Sequence, residues 1–149
     1  IGHVQRNKVK YMAPFVALVH AVDSLRLLKE INKEAKNNGR TINCLLQIKI
    51  AEEDSKYGMD RDDAIELLAS EEYKKLENIK IIGLMGMATF TEDEKQVSEE
   101  FSSLKTLFDS LKEKYNLSVL SMGMSGDYKL AIQKGSNMVR IGSAIFGER

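Results

Sequence analysis

Short apolar segments alternate with longer amphipathic segments along the whole chain, and this alternation restricts the fold more than any other feature. A strand–helix–strand order with short connections predicts βαβ units and a parallel sheet. Six segments are predicted as strands, at residues 1–5, 15–22, 42–50, 79–88, 117–125 and 138–146.

The segments between the strands carry helix signals. In residues 91–115 the apolar positions are three or four residues apart, which is the spacing of one helix face. Thr91 followed by Glu94 is a capping-box pattern that predicts the start of this helix. Further helix starts are predicted at Asp23 or Ser24, Asp60, Ser70 and after Gly126.

A parallel sheet of this kind is either open or closed into a barrel. The strand at 42–50 has one apolar face and one mixed face, whereas strands of open parallel sheets are usually apolar on both faces. We therefore predict an α/β fold, a TIM-type parallel (β/α) barrel with about six of the usual eight units. The chain is expected to form one domain over residues 1–149. Because it opens on a predicted strand, we expect the two absent strands to precede it.

Composition narrows the classes of function. Lys plus Arg and Asp plus Glu are both 22, so the formal net charge is zero. Nucleic-acid binders present a basic face or stripe, so no nucleic-acid partner is expected. No apolar segment has the length that crosses a bilayer, and no signal-peptide pattern opens the chain. We expect a cytoplasmic protein without a membrane partner.

The single cysteine, Cys44, excludes a disulfide scaffold and a cysteine-based zinc site. Its apolar neighbours predict a small buried residue rather than a catalytic thiol. His3 and His20 lie in predicted strands and are interpreted as hydrogen-bonded core residues rather than acid–base catalysts.

Glycines and hydroxyl residues follow the last two predicted strands, the end at which barrels carry functional residues. Ser125 and Gly126 follow one strand, and Gly142 and Ser143 lie towards the end of the next. Backbone N–H groups at such turns point outward together and attract an anion. The pattern leaves two interpretations open, a phosphate site or two turns without a ligand.

Two further side chains are candidates for a site. Arg140 stands between apolar residues inside a predicted strand, where a charge is rarely left unpaired. The pattern favours a structural salt bridge over a ligand contact for this residue. Met85, at the end of another predicted strand, is a core residue by default, and a soft wall around a flat ring is the alternative.

The residues at 1–8, Ile-Gly-His-Val-Gln-Arg-Asn-Lys, resemble the IGxLQxNK segment of the YggS/PROSC family, the pyridoxal phosphate homeostasis proteins. The likeness continues in order through residues 20–24, 53–58, 83–87, 120–125 and 139–149. The last two of these segments together are highly specific for the family.

This resemblance implies a barrel like the N-terminal domain of bacterial alanine racemase, with pyridoxal 5′-phosphate (PLP) as the cofactor. It implies that the phosphate lies against Ser125, Gly142 and Ser143 and that the pyridine nitrogen lies near Arg140. An arginine facing that nitrogen discourages its protonation, which makes the ring a weaker electron sink. Such a ring suits a carrier better than an amino-acid enzyme.

Lys56 lies in a loop typical of the family and is a candidate secondary contact for the cofactor. Met85 and Gly126 are further candidate cofactor-binding residues. The family carries PLP as a Schiff base on a lysine of its first strand, and no lysine of this chain matches that position. We therefore assign no covalent attachment residue. Phosphate or sulfate alone is another expected occupant of the site.

The expected function is non-catalytic: the protein stores or delivers PLP, and apo PLP-dependent enzymes are candidate recipients. One alternative is a PLP-dependent racemase or decarboxylase. Those relatives add a C-terminal β domain that supplies catalytic groups, and this chain stops soon after its last predicted strand. Another alternative is a barrel enzyme that acts on a different phosphate ligand, such as a sugar phosphate.

Overall fold

A computed structural model describes residues 1–52 and 57–147 of the chain. Within these residues the sheet has five strands in the order β1-β2-β3-β4-β5. The pairings of β1 with β2, β3 with β4 and β4 with β5 are parallel. Sequential strands are therefore neighbours in space, as in (β/α) repeats. Their bounds are Leu18–Val22, Ile42–Ile48, Ile79–Gly86, Val119–Met124 and Met138–Arg140.

Helices connect the strands, and polar caps fix several helix starts. Ser24 caps α2, where its hydroxyl accepts a hydrogen bond from the Leu27 amide at 3.3 Å. Ser70 caps α4 in the same way, with the Tyr73 amide at 3.1 Å. The helices are α1 Val9–Met12, α2 Leu25–Asn37, α3 Arg61–Ala69, α4 Glu71–Lys74, α5 Glu94–Tyr115, α6 Tyr128–Gln133 and α7 Ser143–Phe146.

The long helix α5 starts slightly later than the sequence predicts. Asp93 is its N-cap, and its carboxylate accepts from the amides of Lys95 and Gln96. The Thr91 hydroxyl instead accepts from the Asp93 amide at 3.2 Å. The predicted end at Tyr115 is confirmed, because Asn116 takes the left-handed conformation that closes a helix.

The described chain divides into two compact units, and the division falls within β3. The first unit comprises residues 1–48 and 57–82, and the second comprises residues 49–52 and 83–147. In the first unit the largest fully buried side chains come from α2, β2, α3 and β3: Leu28, Ile31, Ile42, Leu45, Leu46, Ile48, Leu68 and Ile81. In the second they are Leu84, Met85, Phe101 and Leu104, which join β3 to α5.

Two predicted strands differ from the structure. Residues 1–5 form no strand, and Gly2 has a φ of 97°, which a regular strand does not accommodate. The segment 138–146 is a strand only as far as Arg140, and residues 143–146 are helical. The described residues therefore contribute five strands rather than the predicted six.

No helix in the described residues combines the length and the apolar character that a membrane crossing requires.

Replacement of Gly123 by alanine is expected to destabilise the protein by about 2–3 kcal/mol. Gly123 has a φ of 102°, and a Cβ there would lie 2.6 Å from the Cβ of Ala131. Gly126→Ala is the matched control, since a Cβ at that position meets nothing within 4 Å. Urea unfolding of both variants measures the difference, and equal midpoints would contradict this account of Gly123.

Candidate functional site

The loops after β4 and β5 begin at the same level of the sheet. Met124 at the end of β4 pairs with Arg140 at the end of β5. Ser125 therefore follows one strand where Ile141 and Gly142 follow the other. The sequence-predicted residues of these two loops are thus brought together by strand register.

The hydroxyl of Ser125 joins the two loops directly. Its oxygen accepts hydrogen bonds from the Gly142 amide at 3.1 Å and from the Ala144 amide at 3.2 Å. These bonds use both lone pairs of the oxygen, so the hydroxyl proton is left to donate elsewhere. Ser125 therefore fixes the turn into α7, and its hydroxyl proton can be donated to a further acceptor.

The turn after β4 is closed by Asp127. Its carboxylate accepts from the Met124 amide at 2.6 Å, and its own amide donates to the Met124 carbonyl at 3.1 Å. One carboxylate oxygen is thereby engaged with the protein backbone.

The open side of these loops leaves room for a ligand. A Cβ at Gly126 or Gly142 would meet nothing within 4 Å, and Ser143 is exposed. A cavity of about 690 Å³ is lined by Ser125, Gly126 and Ala144, by the start of α5 and the residues before it, and by residues 127–130. Its lining includes the carboxylates of Glu92, Glu94 and Asp127 and does not include Gly142 or Ser143. The backbone at both glycines is thus open to close approach.

Arg140 is buried with 6% of its surface exposed. Its guanidinium donates to the Ser121 hydroxyl at 2.8 Å and to the Gly86 carbonyl at 3.0 Å. Burial lowers the pKa of the guanidinium, and the charge of Asp127 partly opposes this shift. The sequence favoured a salt bridge, which is wrong within the described residues: Arg140 takes part in none of their ion pairs, and neutral oxygens hold it instead.

The other predicted site residues differ in how the structure places them. Met85 is buried in β3, in register with Ser121 of β4. It therefore lies next to Gly86 on β3 and beside Ser121 on β4, the two Arg140 partners. Lys56 lies outside the described residues.

A buried carboxylate near this site was missed at the sequence level. Glu100 of α5 is 8% exposed and accepts hydrogen bonds from the backbone amide and the hydroxyl of Thr89. The signal was present, because Glu100 lies within the apolar stripe of α5 between Val97 and Leu104. A charge at such a position requires partners inside the protein.

The histidines and the cysteine lie in the first unit. His3 is not a core residue: its side chain is 39% exposed, 3.7 Å from the Asp23 carboxylate, and its ring stacks on Tyr57. His20 lies in β1 and is partly buried. Cys44 is fully buried, which confirms its prediction as a buried apolar residue, and burial raises its pKa to about 12.

These observations describe a βα-repeat protein in which serine hydroxyls and open glycines follow the carboxyl ends of the last two strands. The chain belongs to the alanine racemase N-terminal domain family, whose model matches residues 1–149. It is 42% identical to a Helicobacter pylori protein named pyridoxal phosphate homeostasis protein, over 99% of this chain and 65% of that protein. An Aquifex aeolicus protein of the same name is 39% identical, over 100% and 65%. The chain thus spans about two thirds of the length of these relatives.

Solved structures confirm the fold class and the family resemblance. A Bifidobacterium adolescentis protein superposes with a TM-score of 0.90 at 35% identity, over 98% of this chain and 59% of that one. PipY of Synechococcus elongatus with PLP bound gives a TM-score of 0.85 at 28% identity, over 99% and 68%. Alanine racemase of Clostridium difficile, at 16% identity and a TM-score of 0.73 over 100% and 39%, shows the fold alone.

The burial of Cys44 predicts a specific alkaline destabilisation. The ordinary thiol pKa of 9.0 applies to the unfolded chain, and the folded value is about 12. Unfolding therefore releases this proton between these two values, and stability that is intact below pH 9 is lost as pH rises towards 12. The loss is expected to be about 1.4 kcal/mol per pH unit.

Cys44→Ala removes this titration and is the comparison variant. Urea unfolding of both proteins from pH 8 upward yields the difference in free energy of unfolding, in which the titrations that do not depend on Cys44 cancel. Parallel pH profiles for the two proteins would refute the assignment.

Proposed function

We propose that this chain binds PLP and that it serves as a carrier in PLP homeostasis without turning over a substrate. The proposal places the phosphate at Ser125, Gly142 and Ser143 and the pyridine ring before Arg140. Its support is the combination of donors at these positions with the names of the relatives and the PLP bound to PipY.

The phosphate end fits an anion of this size because donors and open backbone coincide. Ser125 has a hydroxyl proton to donate, as its oxygen already accepts from the amides of Gly142 and Ala144. The hydroxyl of Ser143 is exposed next to Gly142, where a Cβ would meet only open space. Hydrogen bonds from such donors to a phosphate are charge-assisted and strong.

The observation that carries the proposal is the state of Arg140. Its guanidinium is buried, is held by two neutral oxygens and forms no ion pair within the described residues. The charge of Asp127 acts on it only from beyond ion-pair distance, so its positive charge is only partly offset. Such a charge accommodates the lone pair of an unprotonated pyridine nitrogen. PLP supplies an electron sink when bound, and an unprotonated ring is a weak sink. The geometry therefore favours holding the cofactor over using it.

Three further residues are proposed to complete the site. Met85 contributes an apolar wall beside the Arg140 partners, and Gly126 leaves its backbone open at the phosphate end. Lys56 is proposed as a secondary contact from the family resemblance alone. Transfer of PLP to apo PLP-dependent enzymes is the corresponding proposal for partners.

Replacement of Ser125 by alanine is expected to weaken PLP binding by roughly tenfold to a hundredfold, since a hydrogen bond to a charged group is lost. The Gly142 and Ala144 amides also lose their acceptor. Titration of the chain with PLP, followed by absorbance and by ³¹P NMR, measures the change.

Ser110→Ala is the control, because within the described residues that hydroxyl donates only to the Leu107 carbonyl on α5. It is expected to leave PLP affinity at the wild-type value. Equal affinities for Ser125→Ala and wild type would remove the phosphate assignment.

The carrier proposal is tested separately from binding. The PLP-loaded chain is incubated with single amino acids in deuterium oxide, and exchange of the α-proton and racemisation are followed by NMR and chiral chromatography. We expect rates equal to those of free PLP. Exchange that is faster than with free PLP and that depends on the protein would favour a racemase-type enzyme instead.

A further inference from the structure

A buried carboxylate holds the loop that follows β3. One carboxylate oxygen of Glu100 accepts a hydrogen bond from the Thr89 amide at 2.7 Å, and the other accepts one from the Thr89 hydroxyl at 2.6 Å. The side-chain amide of Gln96, one helical turn earlier, donates to the second oxygen at 3.2 Å. Three donors thus converge on a carboxylate that is almost removed from solvent.

The Thr89 hydroxyl extends this cluster to the loop that follows β2. It accepts from the Glu52 amide at 3.1 Å while it donates to Glu100. A single hydroxyl therefore connects two loops to α5. Both loops leave the carboxyl ends of their strands, where the functional residues of a barrel lie.

The cluster is close along the chain to the oxygen that holds Arg140. Thr89 follows three residues after Gly86, whose carbonyl accepts from the Arg140 guanidinium at 3.0 Å. Helix α5 also packs closely against Gly86. A Cβ at that position would lie only 2.7 Å from Leu104 Cδ2. Helix α5 thus contacts the end of β3 and its loop at two points: Leu104 packs against Gly86, and Glu100 accepts hydrogen bonds from Thr89.

We propose that Glu100 is a positioning residue that, through Thr89 and the Gly86 carbonyl, orients the Arg140 guanidinium at the ring end of the site. The consequence for PLP rests on the proposed function. A carboxylate is needed because all three of its partners donate hydrogen bonds, and an amide offers a single acceptor oxygen.

The test compares Glu100→Gln with Glu99→Gln, the same chemical change at the exposed neighbouring residue. The NMR signals of the Arg140 guanidinium are recorded first, without ligand, in a ¹⁵N-labelled chain. Glu100→Gln is expected to shift and broaden them, and Glu99→Gln is expected to leave them unchanged. Thr89→Val is expected to reproduce the effect and Thr89→Ser to retain the wild-type signals, which covers the case in which Glu100→Gln does not fold.

Affinities for PLP and for inorganic phosphate are then measured on the same proteins. Glu100→Gln is expected to bind PLP about tenfold more weakly, with its phosphate affinity unchanged, because Arg140 acts at the ring. A residue that only stabilises the fold would lower both affinities together, and that result overturns the inference. Unaltered Arg140 signals in Glu100→Gln overturn it as well. Absence of PLP binding by the wild type, with Arg140 signals that still depend on Glu100, overturns the proposed function alone.

Discussion

The guanidinium of Arg140 joins three neighbouring strands. It belongs to β5, and its hydrogen bonds reach Ser121 on β4 and Gly86 on β3. Burying a charge costs several kcal/mol unless partners offset the loss of water. Two neutral oxygens offset part of that cost, and burial lowers the pKa of the group without neutralising it. The three strands therefore contact a positive charge that can still attract a further hydrogen-bond acceptor.

The short β5 accounts for both ends of the proposed site. Arg140 is its last residue, and the chain then turns at Gly142, whose φ of −127° and ψ of −82° leave the strand conformation. This early end directs the Gly142 and Ala144 amides to the Ser125 hydroxyl. Had the strand continued to residue 146, as the apolar sequence predicts, these amides would belong to the sheet instead. Arg140 and the two amides that bind the Ser125 hydroxyl thus lie within four residues of each other along the chain because the strand is short.

The strand–helix order, the caps at Ser24 and Ser70 and the end of α5 were predictable, because each depends on spacing or on a local side-chain bond. The absence of a strand at residues 1–5 was not predictable. The sequence there resembles a strand, and only the structure shows that Gly2 has a φ outside the strand range. The partners of Arg140 were also beyond the sequence, because Gly86 and Ser121 are 54 and 19 residues away and one contributes only a carbonyl. Glu100 could be recognised in the sequence as a charged residue on the apolar face of α5, but its hydrogen-bond partner Thr89 could not be predicted.

The fold alone does not decide between carrier and enzyme, since alanine racemase shares it at 16% identity. The decision lies with the group that faces the ring. On the proposed orientation, Arg140 binds an unprotonated pyridine nitrogen through its positive charge, and the same charge opposes the protonation that makes the ring a strong electron sink. A carboxylate beside the guanidinium would weaken both effects together. Neutral oxygens at Gly86 and Ser121 would preserve both effects, so on the proposed orientation a single side chain both binds the ring and keeps it a weak electron sink.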